Sequence, residues 1–142
     1  MAKKKKYTLE LDDDLDFDIV GISSHHSDYR LAWGINQGLG LHLAKCDEPY
    51  CVTDRKGVIV SSHSMYEYAD DSDRMVYYLI KNKHQGKYLI PEKPGIDFFL
   101  FLCDNWAVDI QELVVELKAV PSVLGVFPFD PDELSSAENI VF

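Results

Sequence analysis

Between Ile96 and Phe129 the chain reads IDFFLFLC (96–103), DNWAVD (104–109), IQELVVELK (110–118) and AVPSVLGVFPF (119–129). The first stretch is apolar on both of its alternating faces: Ile96, Phe98, Leu100 and Leu102 on one, Phe99, Phe101 and Cys103 with Asp97 on the other. That pattern predicts a buried strand. In the third stretch Ile110, Leu113, Val114 and Leu117 fall at i, i+3, i+4 and i+7, the spacing of one helix face, with Gln111, Glu112, Glu116 and Lys118 elsewhere on its surface. Asp104 or Asn105 is the expected N-cap, and Pro121 stops the helix. Val123–Phe129 then closes as a strand, and Pro131–Ser135 makes a short helical turn.

Working toward the N-terminus, residues 57–103 read as strands and turns. Met75–Lys81 is a second strand apolar on both faces, and His84-Gln85-Gly86 turns the chain into a strand over Lys87–Ile90. Pro91 ends that strand because proline cannot donate to a ladder. Pro94-Gly95 is expected to turn as type II. Val58–Val60 and Ser64–Tyr68 are further strands, followed by the acidic turn Asp70–Asp73. Upstream, Ser27 caps a helix whose stripe is Leu31, Ile35 and Leu39, with Trp33 beside it and Gly40 as C-cap. Gly34 and Gly38 weaken that helix, so packing must hold it. Leu41–Ala44, the alternating Asp12–Gly21 and Tyr7–Leu11 are the remaining strands.

Two helices separated by several strands imply an α+β domain: a two-layer sandwich, an antiparallel sheet with two main helices on one face. The closing helix and strand resemble the second half of a ferredoxin-like or ACT-like unit. At 142 residues the chain suits one domain, read as a lysine-rich disordered tail (residues 1–6) and a single domain (residues 7–142). The net charge is −10, and −14 without Lys3–Lys6, which argues against nucleic acid. No apolar run is long enough to cross a membrane as a helix, and no apolar segment follows the lysines as a signal peptide would require. An odd set of three cysteines (Cys46, Cys51, Cys103) suits a reducing compartment, so a cytoplasmic location is expected.

The segment Ile90-Pro91-Glu92-Lys93-Pro94-Gly95-Ile96-Asp97-Phe98 resembles the motif that names the IPExxxVDY family of small bacterial proteins. Flanking stretches are similar too: Tyr77–Ile80, Phe99-Leu100, Gly21–Ser24, Asp28–Leu31, and the ending from Asp130-Pro131 to Phe142. Two positions depart from the motif. Ile96 stands for valine, and Phe98 for tyrosine, which removes a phenol hydroxyl. The family has no assigned activity, so the resemblance implies a shared fold and supplies no mechanism.

No residue set predicts an enzyme, a metal or a cofactor. Asp14, Asp16 and Asp18 open like a calcium loop, but the positions that should hold Gly and Glu hold Ile19 and His25. His42, Cys46, Cys51 and His63 lack the tight pairing of structural zinc. His25 and His26 read as a capping loop, although backbone N–H groups there, with Arg30 nearby, could hold an anion. No nucleophile elbow or phosphate-cradling glycine loop occurs. What remains is association. With helices on one face only, Phe99 and Phe101 would leave an aromatic face wet, and such patches usually bind something, unless the terminal segments, Ile140–Phe142 among them, wrap that face. The expected function is a non-enzymatic interaction domain whose partner is itself, as a homodimer, or another protein. The alternatives are an ACT-like small-ligand sensor and an uncharacterised enzyme. The motif reads as architectural first, with Asp97 accepting turn N–H bonds, or with Asp97 or Glu92 pairing with Arg30.

Overall fold

The computed structural model describes residues 17–142. The elements are β1 (Phe17–Ser23), α1 (Asp28–Leu39), β2 (Ala44–Lys45), β3 (Tyr50–Thr53), β4 (Ile59–His63), β5 (Met65–Asp70), β6 (Met75–Lys81), β7 (Lys83–His84), β8 (Lys87–Tyr88), β9 (Phe98–Cys103), α2 (Ile110–Lys118) and β10 (Gly125–Phe129). Two 3₁₀ turns follow, Pro131–Glu133 and Ser135–Asn139. The expected lysine tail and the strand over Tyr7–Leu11 lie outside the described residues.

The main sheet is antiparallel throughout, in the order β10-β1-β9-β6-β5-β2. Its first four strands, with α1 and α2 between them in the chain, form the split βαβ-βαβ order of a ferredoxin-like unit. Between α1 and β6 the chain inserts β2, β5 and a separate β3–β4 hairpin. Register fixes the two faces: Ile19 lies opposite Phe101 and Val20 opposite Leu100, while Phe101 and Leu100 also face Tyr78 and Leu79. Both helices cover the face that carries Val20, Ile22, Tyr77, Leu79, Phe98, Leu100 and Leu102, through Leu31, Ile35, Leu113, Val114 and Leu117. The α+β two-layer expectation holds.

Local chemistry explains the helix ends. Ser27 caps α1 by accepting the Arg30 N–H, and Gly40 closes it in the left-handed conformation (φ 72°). The glycine at 34 is a packing device. A methyl there would sit 2.7 Å from Ser122 Oγ and 3.1 Å from Val120, so the helix meets the α2–β10 linker only without a side chain.

Several elements start or stop elsewhere than the pattern predicts, and side-chain hydrogen bonds are the reason. α2 begins at Ile110 under an Asp109 cap, because Asn105 instead closes its own turn by bonding both the N–H and the carbonyl of Val108. The strand expected over Leu41–Ala44 starts only at Ala44, as β2, because the Asn36 amide takes the N–H and carbonyl of Leu43. β8 stops at Tyr88, since the next two N–H groups turn to Asn82. The Pro94-Gly95 turn is not type II, because Gly95 is not left-handed. β10 starts at Gly125, later than expected, and Trp33 points away from the core.

The sheet's second face is where the sequence reading needs correcting. Phe99 and Phe101 are 0% exposed. They are covered by the chain itself: Leu89, Ile90 and Ile96 from the loop before β9, and Leu134, Ala137 and Ile140 from the C-terminal turns. Irregular segments do most of this covering, and the β3–β4 hairpin adds Tyr50 and Val52 at their side. An aromatic surface awaiting a partner is therefore absent there.

Candidate functional site

The motif segment is built by two consecutive proline turns. Lys93 N–H donates to the Ile90 carbonyl at 3.0 Å, and Ile96 N–H to the Lys93 carbonyl at 3.2 Å. Pro91 and Pro94 each occupy the second turn position, where a fixed φ is favourable and no N–H is missed. Asn82 pegs both turns from below. Its amide donates to the carbonyls of Lys93 (2.9 Å) and Ile96 (2.8 Å) and accepts the Ile90 N–H (2.9 Å). Its backbone bonds Asp97 and Leu89. Asn82 is fully buried, and the three hydrogen bonds of its side chain, two donated and one accepted, all go to this loop. Sequence reasoning missed this residue. The available signal was phase: Asn82 continues the alternation Tyr78, Ile80 onto the buried second face.

The two motif carboxylates are both engaged by protein groups. Glu92 receives the Ser136 N–H (2.8 Å), Ser136 Oγ (2.7 Å) and Ser135 Oγ (3.3 Å), which ties the motif to the C-terminal turns. Partial burial alone would raise its pKa, but these bonds together hold the carboxyl below its ordinary value. Asp97 Oδ2 accepts the Ser24 N–H at 2.9 Å, and the Asp97 N–H donates to the Ile22 carbonyl, which locks β9 to the end of β1. Neither pairs with Arg30, which lies exposed on α1. Phe98 is buried under the helices, where a phenol hydroxyl would need a partner of its own.

The candidate chemical groups are placed apart. Among the described residues no cluster of three or more His, Cys, Asp or Glu side chains forms a metal-sized set, so His42, Cys46, Cys51 and His63 do not converge. Burial, then the neighbouring Glu67, pushes the Cys46 thiol pKa up, which keeps its proton on sulfur. Asp18 accepts from Asn105, and the other two acids of the expected calcium loop lie outside the described residues. Ser61 Oγ meets His63 Nε2 at 2.9 Å. His63 is only 1% exposed, and among the described residues no carboxylate bonds its Nδ1 as the orienting acid of a Ser–His relay would. Burial holds His63 below its ordinary pKa. The Lys81 backbone opposes that, and the neighbouring His84 adds to it.

Among the described residues, two clefts and the outer side of α1 bear on function. The larger cleft, about 720 Å³, lies between Asp18, Trp106, Asp109 and Asp130. Its three carboxylates already accept from Asn105, from the Gln111 N–H and from the Asp132 N–H. The smaller, about 330 Å³, opens beside the motif, with Ser24, His26, Lys81, Lys83, His84 and Asp97 among its walls. The other feature is the outer side of α1, where Tyr29 and Trp33, one turn apart, are 67% and 59% exposed, with exposed Arg30 on the side of Trp33 away from Tyr29. No family model matches the chain, and no curated protein matches it.

Proposed function

We propose that this protein is a non-enzymatic interaction domain that binds a second copy of itself through the outer side of α1. The single observation that carries the proposal is the exposed Tyr29–Arg30–Trp33 ridge. Trp, Tyr and Arg are the residue types that dominate binding hot spots, and i,i+4 spacing sets the two aromatics side by side. An isologous pairing brings both aromatics of each copy into contact, and each such ring covers roughly 150–250 Å². The interface leans on aromatic contact because copies of net charge −10 repel each other at range. A reducing, cytoplasmic setting belongs to the same proposal and is supported by the small, odd cysteine set. So does kinship with the IPExxxVDY family, with residues 90–98 in an architectural role.

Light scattering at micromolar concentration tests it. The native chain is expected to give a dimer, and Trp33→Glu a monomer with an unchanged thermal midpoint. A native chain that is monomeric at every concentration overturns the proposal.

A further inference from the structure

The basic residues of this acidic chain are unevenly spread. Residues 81–93 hold four lysines, Lys81, Lys83, Lys87 and Lys93, and a single acid, Glu92, which is engaged by Ser135 and Ser136. Folding brings Lys81, Lys83 and His84 against His26 of the β1–α1 loop, around the cleft of about 330 Å³. That volume is at the lower end of small-ligand sites. The cleft's one carboxylate, Asp97, already accepts the Ser24 N–H. Two further features hold the wall in place. Lys83 Nζ lies 5.8 Å over the Tyr88 ring, and Gln85, also a wall residue, keeps a left-handed backbone (φ 50°) that is uncommon for a non-glycine residue.

We propose that this cleft binds a phosphate monoester of a small organic molecule. Two ammonium groups and two imidazoles surround a tetrahedral dianion with point charges and donors. The cleft has no arginine, and so no planar fork matched to a carboxylate. Pro94 and Ile96 add an apolar wall for the carbon end of the ester. A nucleic acid is a poor occupant, because a long polyanion on this cleft extends over the acidic body, whereas a small ester does not. The site is separate from the α1 ridge, so each proposal stands or falls alone.

The test is a titration of the isotope-labelled full chain with glycerol phosphate, followed by amide shifts, against sodium chloride at matched ionic strength. Saturable shifts at Ser24, His26 and Lys81–Gln85 are expected. The double substitution K81E/K83E weakens binding by about tenfold or more. The charge-matched double K56E/K118E, at two lysines outside the cleft, leaves affinity within about threefold. Both variants should keep the native amide spectrum elsewhere. Four results overturn the proposal: shifts reproduced by chloride, equal loss in the two double variants, inorganic phosphate binding as tightly as the ester, or a single-stranded RNA oligonucleotide binding more tightly than glycerol phosphate.

Discussion

The two faces of the central sheet are equally apolar and are covered in opposite ways. On one, α1 and α2 lay regular stripes over Val20, Leu100 and Leu102, and nearly all the contact is side chain on side chain. On the other, no helix of more than a turn or two is available. Phe99 and Phe101 are covered by the proline loop before β9 and by the C-terminal turns, with Tyr50 and Val52 of β3 beside them. A helix satisfies its own backbone, so hydrophobic contact alone can hold it in place. An irregular strap does not, and each of its buried N–H and carbonyl groups needs a named partner. Asn82 and Glu92 supply those partners. The lesson is that a sheet greasy on both faces does not by itself announce an interface, because a polar peg can fasten loose chain over it.

The comparison can be broken in order of effect. Removing core volume should hurt both faces alike: Phe101→Ala is expected to cost about 3–5 kcal/mol and Leu100→Ala about 2–5 kcal/mol, read by urea unfolding. Phe99→Glu should fail to fold, because the ring lies in the interior. Asn82→Ala leaves the Ile90 N–H and the Ile96 carbonyl without side-chain partners and takes one of two donors from the Lys93 carbonyl, on the second face only, and should cost about 3 kcal/mol. Its hydrogen exchange should rise in residues 89–96 and 131–142, with α1 and α2 unchanged until global unfolding. If exchange rises equally in the helices, the two faces are not held by different means.

Smaller effects sharpen the same contrast. Asp97→Ala frees the Ser24 N–H and should cost about 1–3 kcal/mol. Glu92→Ala, at an exposed position where water screens and competes, should cost only about 1 kcal/mol or less. It should nevertheless loosen the C-terminal turns, seen as faster exchange at Ser136.

The smallest effect is a pH dependence with two separate windows. His63 is held neutral below its ordinary 6.5, so the unfolded chain takes up a proton that the folded chain refuses. Its contribution is whole above that value and declines as pH falls through it. Glu92 is lowered from 4.5, so its contribution is whole above 4.5 and is lost only at lower pH. Urea midpoints at about pH 7.5 and about pH 5.5 should therefore differ for the native chain, and differ less for His63→Gln.

Much of the helix-covered face was legible in the sequence. Ile110, Leu113, Val114 and Leu117 repeat at helical spacing, Ser27 and Gly40 carry cap chemistry, and the alternation of residues 98–103 assigns each apolar side chain to its face. Ile96, placed by that alternation with Phe98, lies before the strand and packs with Phe99 and Phe101 instead. The covering of the other face was legible only as the alternative in which terminal segments, Ile140–Phe142 among them, wrap it. Leu134, Ala137 and Ile140 have no period to betray them, and their burial depends on contacts with residues far away in the chain. Of the motif residues, Pro91 and Pro94 could be read as turn formers. The partners of Glu92 and Asp97 could not, because Ser136 and Ser24 lie 44 and 73 positions away. The lysine-lined cleft was half visible: the run of lysines over 81–93 is plain in the sequence, but its meeting with His26 is a product of topology.

The central claim is that the chain closes its own aromatic face. Phe142 ends that closure, stacked on Tyr78 with ring centres 4.2 Å apart and edge-on to Phe101 at 5.2 Å. Nuclear Overhauser contacts between these rings, recorded on a mixture of labelled and unlabelled chains, test it most directly. The account predicts strong Phe142–Tyr78 and Phe142–Phe101 contacts within one chain and none between chains. Contacts that are missing, or that occur only between a labelled and an unlabelled chain, would contradict it.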